Sequence, residues 1–177
     1  MRKSWMAWGA WMAWFLAATL ALSACGGGGN DRTKAKLRLV NASAGYASLD
    51  LRVDDTLTQG AVSYGNTASY TEVSPGNADS SLTVAGSATA LLAFKPALSK
   101  DRHYTLLAYG GQGALKQVLL DDNAGQPETG RALLRVVNAA PDAGALDIYL
   151  TGSDEPLASA VPAQGAAAVG TVGEWLT

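Results

Sequence analysis

The sequence predicts an all-β chain: an antiparallel β-sandwich, present as one complete unit plus a partial second unit, after an N-terminal signal helix. Three observations carry this. From Lys36 onward apolar and polar side chains alternate with a period of two, the mark of strands with one buried face. Clusters of Gly, Pro, Asn and Asp punctuate these runs at short intervals. A pair of alternating strands also occurs twice, 97 residues apart.

The chain begins with a targeting pattern. Arg2 and Lys3 form a positive n-region, and the run from Trp5 to Leu22 carries no charge. Small Ser23 and Ala24 then lead into Cys25, completing the three parts of a secretory signal. A plain anchor helix competes, because the uncharged run reaches the lower limit of a span, roughly 18 residues. Leu22-Ser23-Ala24-Cys25 decides between them. It resembles the lipobox of bacterial lipoproteins, in which the cysteine thiol takes a diacylglyceryl group and the preceding peptide is removed. The resemblance implies a signal peptide over 1–24, lipid on Cys25, and a membrane partner held through that lipid. Two or more acyl chains hold a protein stably where one does not. The expected location is therefore the cell envelope, and Gly26 stands where an aspartate would resemble an inner-membrane retention signal. For a Gram-negative source that means the outer membrane, on its periplasmic or surface face.

Removal of the leader changes the composition. Trp5, Trp8, Trp11 and Trp14 recur every third residue and go with it, leaving Trp175. Loss of Arg2 and Lys3 leaves 11 basic against 15 acidic residues, a net charge of −4. A weakly acidic chain without a basic cluster lacks the concentrated Lys and Arg that face phosphates, so nucleic acid is not an expected partner. Cys25 is the sole cysteine, which excludes disulfides, thiol nucleophiles and Cys-based metal sites.

Residues 25–35 read as a tether. Gly26 to Gly29 is followed by Asn30-Asp31-Arg32-Thr33, with no Lys-Ser or Lys-Thr after the glycines and no strand before them. Phosphate cradling needs both; a flexible linker needs neither. The first sandwich unit then spans 36–124. Leu37-Arg38-Leu39-Val40 opens it, and Leu49-Asp50-Leu51-Arg52-Val53 is the clearest amphipathic strand. Further strands are expected at 68–73, 81–85, 88–94, 103–109 and 115–120, separated by turn-formers such as Ser74-Pro75-Gly76-Asn77 and Gly110-Gly111-Gln112-Gly113. No amphipathic helix follows the leader, and so many short strands in so short a stretch point to two packed antiparallel sheets.

The second unit spans 132–177. Leu37-Arg38-Leu39-Val40-Asn41-Ala42 matches Leu134-Arg135-Val136-Val137-Asn138-Ala139, and Leu49-Asp50-Leu51 matches Leu146-Asp147-Ile148, both at the offset of 97. Gln126-Pro127-Glu128-Thr129-Gly130 joins the units. Carried to Thr177, that offset reaches only the turn after Val73, so counterparts of the last four strands are missing. Half a sandwich leaves its inner face in water, at roughly 25 cal/mol per Å². The sequence therefore reads as a fragment of a two-unit protein of roughly 230 residues, judged from the repeat length.

These segments, with His103-Tyr104-Thr105-Leu106-Leu107-Ala108-Tyr109-Gly110, resemble the domain-of-unknown-function family numbered 4397, found in exported bacterial proteins and often in tandem. Asn138-Ala139-Ala140-Pro141-Asp142 followed by Leu146-Asp147-Ile148-Tyr149 fits its pattern; in the first unit Ala44-Gly45 replaces Pro141-Asp142. The resemblance implies an immunoglobulin-like or transthyretin-like sandwich and no established activity.

Chemistry is sparse. His103 is the sole histidine and opens a strand near solvent; no Gly-x-Ser-x-Gly elbow occurs to set a nucleophile beside it, and a zinc site needs a cluster of ligands that one histidine cannot make. The adjacent acids Asp54-Asp55, Asp121-Asp122 and Asp154-Glu155 sit at turns, outside calcium-loop spacing. No catalytic residue, metal or cofactor is therefore expected, and the chain reads as a non-enzyme. The candidate site is the repeated polar set Arg38, Asn41, Asp50, Arg135, Asn138 and Asp147. Its structural reading has Asn closing Asx-type turns and outward Arg and Asp pairing across neighbouring strands. Its functional reading is one polar ligand site per unit. Tyr46, Tyr64, Tyr70, Tyr104 and Tyr109 are scattered, which favours packing over a sugar platform. The leading expectation is a lipid-anchored envelope protein that binds a protein partner or acts as a spacer. The alternative is a carbohydrate-binding accessory domain of an extracellular hydrolase system.

Overall fold

The structure, a computed structural model, describes residues 31–177. The expected signal helix, Leu22, Ser23, Ala24, Cys25 and the glycine run lie outside the described residues.

The described chain is all-β. Strand β1 (Ala35–Ala42) alternates buried and half-buried residues along its whole length, as its sequence period requires. β2 (Ser48–Val53) and β3 (Thr56–Ser63) form a hairpin whose two turn residues, Asp54 and Asp55, both take positive φ, 47° and 58°. A tight two-residue turn demands that conformation, and Asp is among the few side chains that tolerate it. Then follow β4 (Thr71–Val73), β5 (Gly76–Asn77), β6 (Ser80–Val84), β7 (Ala90–Phe94), β8 (Ala97–Leu98), β9 (His103–Tyr109) and β10 (Lys116–Asp121). One four-stranded sheet has the order β10-β9-β1-β4 and the other β3-β2-β6-β7, with β5 and β8 as a small separate pair.

Pairing is antiparallel throughout, except that β1 and β9 run parallel from Lys36↔His103 to Ala42↔Tyr109. Parallel neighbours need a long crossover, and here the whole opposite sheet supplies it. Between the sheets Leu37, Leu39, Leu49, Leu51, Leu82 and Leu106 are completely buried. Each fully buried leucine contributes about 1.5–3 kcal/mol of transfer free energy.

β3 was not expected from the sequence. Gln59-Gly60-Ala61 breaks its apolar alternation, Ala61 has φ 54°, and the β2–β3 register shifts twice. A bulged strand does not show a period of two.

After the junction come β11 (Leu146–Ile148), a single 3-10 turn (Leu157–Ser159) and β12 (Gln164–Ala167). Here the internal correspondence changes register. The bridges Val40↔Thr67 and Val137↔Val172 match only when the offset grows from 97 to 105. The β1–β4 pair Leu37↔Thr71 and the bridge Leu134↔Leu176 differ in the same way. Eight extra residues in the connection from β11 to β12, which holds the 3-10 turn, account for the change. Thr177 then corresponds to Glu72 in β4, not to the turn after Val73. Leu134 and Leu146 are 44% and 36% exposed, whereas their counterparts Leu37 and Leu49 are sealed. In the first segment β9 lies beside β1 and β6 beside β2; among the described residues no strand takes those places in the second.

Candidate functional site

The repeated asparagines do the same work twice. Asn41, fully buried, donates through Nδ2 to the carbonyls of Tyr46 (3.2 Å) and Val62 (3.0 Å) and accepts from Ser43 N–H (3.0 Å). Asn138 donates to Gly144 (2.8 Å) and Ala167 (3.0 Å) and accepts from Ala140 N–H (3.0 Å). Each amide satisfies backbone groups that a loop would otherwise bury unpaired.

The repeated aspartates also serve the backbone. Asp50 Oδ1 accepts from Ala61 N–H at 2.6 Å, and Asp147 Oδ1 accepts from Ala166 N–H at 2.7 Å. Ala61 and Ala166 both sit at positive φ, 54° and 48°, a region that costs a non-glycine residue about 1–2 kcal/mol. The carboxylate thus holds a strained bulge in place. Asp50 Oδ2 takes a further bond from Gly86 N–H and is almost fully buried; Asp147 is exposed.

The expected Arg–Asp pairing across neighbouring strands does not occur. Arg38 lies on β1 and Asp50 on β2, which belong to opposite sheets. Arg38 Nε instead donates to Thr105 Oγ1 (2.8 Å), and that hydroxyl donates to Asp122 Oδ2 (2.5 Å). Tyr70 OH also donates to Asp122 Oδ2 (2.8 Å), while its ring lies 4.5 Å beneath the Arg38 guanidinium and meets His103 edge-on. Arg135 approaches the same carboxylate from the second segment, with Nη2 3.3 Å from Asp122 Oδ1 and Nη1 donating to Asp121 O at 2.9 Å. It stacks 4.3 Å over Trp175, the counterpart of Tyr70 at the offset of 105.

The structure therefore splits the predicted set. Asn41, Asp50, Asn138 and Asp147 pin loops and bulges, and Arg38 and Arg135 converge on Asp122. Burial, then the hydrogen bond to Asp122 and its charge, push the Tyr70 hydroxyl above the usual tyrosine range. Burial pushes Asp121 upward, but hydrogen bonds from Asn123 and the Arg102 guanidinium outweigh it and hold the carboxyl below its ordinary value. Each oxygen of Asp122 already accepts hydrogen bonds from the chain's own side chains, so the cluster acts as a tie between strands.

Sequence reasoning did not single out Gln59 or Thr105, and it named Tyr70, Asp122 and Trp175 without seeing them as partners of the two arginines. Gln59 Oε1 accepts from Leu39 N–H and its Nε2 donates to Leu37 and Ser69 carbonyls, binding β3 to β1. The signal was present: Gln59-Gly60-Ala61 and Gln164-Gly165-Ala166 are identical triplets at the offset of 105. Among the described residues no group of three or more His, Cys, Asp or Glu could hold a metal ion.

A family model described as "Domain of unknown function (DUF4397)" matches residues 35–149, from the start of β1 through β11. No curated protein matches the chain. With well over half of its residues covered by that match, the chain belongs to the family of this domain of unknown function.

Proposed function

We propose that this protein is an exported, lipid-anchored component of the bacterial cell envelope, in which tandem β-sandwich units serve as a non-catalytic spacer or binding body. The observation that carries this reading is how the repeated polar residues are used. Asn41, Asp50, Asn138 and Asp147 direct their hydrogen bonds to the chain's own backbone. Arg38 and Arg135 direct theirs to Thr105, Asp121 and Asp122. Residues used to hold a scaffold are not poised to turn over a substrate. Leu22-Ser23-Ala24-Cys25 supports the anchor, with lipid on Cys25 and the outer membrane as its place in a Gram-negative cell.

Mass spectrometry of protein purified from membranes is the direct test. The expected N-terminal peptide begins at Cys25 and carries two or three acyl chains. An intact Met1 with an unmodified thiol would overturn the anchor. Replacing Cys25→Ser should move the protein from the detergent phase to the aqueous phase on phase partitioning. The binding role is tested by pull-down from envelope extracts beside a glycan array. Specific sugar retention would replace the spacer reading with that of a carbohydrate-binding accessory domain.

A further inference from the structure

In β9 the residues Tyr104, Leu106 and Ala108 face the core between the sheets. Thr105, Leu107 and Tyr109 alternate with them and so point the opposite way, to the outer face of the sheet. A sandwich normally presents that face to water. Here it does not: the three residues are only 3%, 8% and 7% exposed.

Two contacts show that residues beyond the junction lie against this face. At the Thr105 end, Arg135 bonds Asp122, which itself holds Thr105. At the Tyr109 end, the Tyr109 hydroxyl fills the space that a Cβ on Gly170 would need. Gly65 is the counterpart of Gly170 at the offset of 105, with nearly the same φ (78° against 77°), yet the space beside it is open. The local loop geometry is thus shared, and the contact with Tyr109 belongs to the junction alone. The arginine behaves likewise. Arg38 reaches Asp122 from the sheet that carries it, and Arg135, the counterpart of Arg38, reaches the same carboxylate from outside.

We infer that Asp122–Arg135 and Tyr109–Gly170 form a two-point joint that locks segment 132–177 onto the outer face of the β10-β9-β1-β4 sheet, so that the two segments move as one rigid body. Two points of attachment at opposite ends of one strand suppress both swing and twist, where a single ion pair would leave a hinge. Under the spacer reading proposed above, on which this meaning rests, the joint makes a stiff rod where flexibly linked units would give a loose string.

Spin-label distance measurements test it. The labels go on Ala88→Cys and Ser153→Cys in the full chain carrying Cys25→Ser. Both positions are exposed and they lie in different segments. The parent should give one narrow distance distribution, and Asp122→Ala or Arg135→Ala should broaden it at least about twofold. Should Asp122→Ala unfold the first sheet through Tyr70 and Thr105, Arg135→Ala carries the test, because its side-chain hydrogen bonds cross the junction and within its own segment it gives up the stack on Trp175. A broad distribution in the parent overturns the joint, as does a narrow one in folded Arg135→Ala. Either result leaves the lipid anchor standing, while loss of the spacer role to a captured sugar would leave the distance distribution as it is.

Discussion

Asn41 is a side chain whose removal nothing nearby can compensate. Asn41→Ala leaves Ser43 N–H and the carbonyls of Tyr46 and Val62 without their side-chain partner in a sealed site. A loss of about 2–3 kcal/mol in urea unfolding is expected; a loss no larger than that of an exposed control would contradict the assignment. The aspartates should separate in the same experiment. Asp50→Ala removes two bonds from an almost fully buried carboxylate and should cost about 2 kcal/mol, whereas Asp147→Ala removes one from an exposed carboxylate and should cost less than about 1. Equal costs would mean that burial does not decide the matter. Tyr70 adds a dependence on pH. Its folded-state pKa lies above the ordinary value of 10.0, chiefly through burial and then through Asp122. A raised pKa gives a contribution that is complete below the unfolded value and lost as pH climbs through the folded one. Stability should therefore decline above about pH 10, and Tyr70→Phe should flatten that alkaline decline.

Strand β3 shows what an element can hide. Ala61 holds a left-handed conformation inside a strand, with its N–H captured by Asp50. Glycine adopts that conformation without strain, so Ala61→Gly should stabilise the fold by up to about 1 kcal/mol, against the usual penalty for glycine in a strand. A lower urea midpoint for Ala61→Gly would show that the bulge is not strained. The same bulge explains how much could be read beforehand. β1, β2, β6, β7, β9 and β10 were legible because each keeps period two or a continuous apolar run. β3 and β12 were not, because both contain Gln-Gly-Ala and follow the side chains of Asp50 and Asp147 in place of a regular ladder. The polar site was half legible for a related reason. Asn41, Asn138, Asp50 and Asp147 are marked by their repetition in the sequence; nothing of that kind marks Asp122, and the two arginines that repeat converge on it only once the chain is folded.

At the scale of the molecule, stability should be graded from β9 outward. β9 lies between β10 and β1, is buried on both faces from Tyr104 to Tyr109, and pairs over those residues with each neighbour. Its amides can exchange only when the sandwich opens as a whole. β11 pairs with β12 through a shifted register, at Leu146↔Ala167 and Ile148↔Gln164, with no second neighbour among the described residues. Leu146 and Leu150 on that side are 36% and 51% exposed, so little apolar burial resists local opening. Hydrogen exchange read by mass spectrometry should find the 104–108 amides protected to the global limit, while those of 146–148 and 164–167 exchange on the order of a hundredfold faster or more. The junction refines the pattern. Arg135→Ala should speed exchange in β11 and β12 and leave β1 and β9 at the global limit, because the sheets that bury Leu37 and Leu106 do not depend on the joint. Uniform protection from Ala35 to Ala167 would instead mean that the second segment adds to the cooperative core, and the gradient drawn from burial would fail.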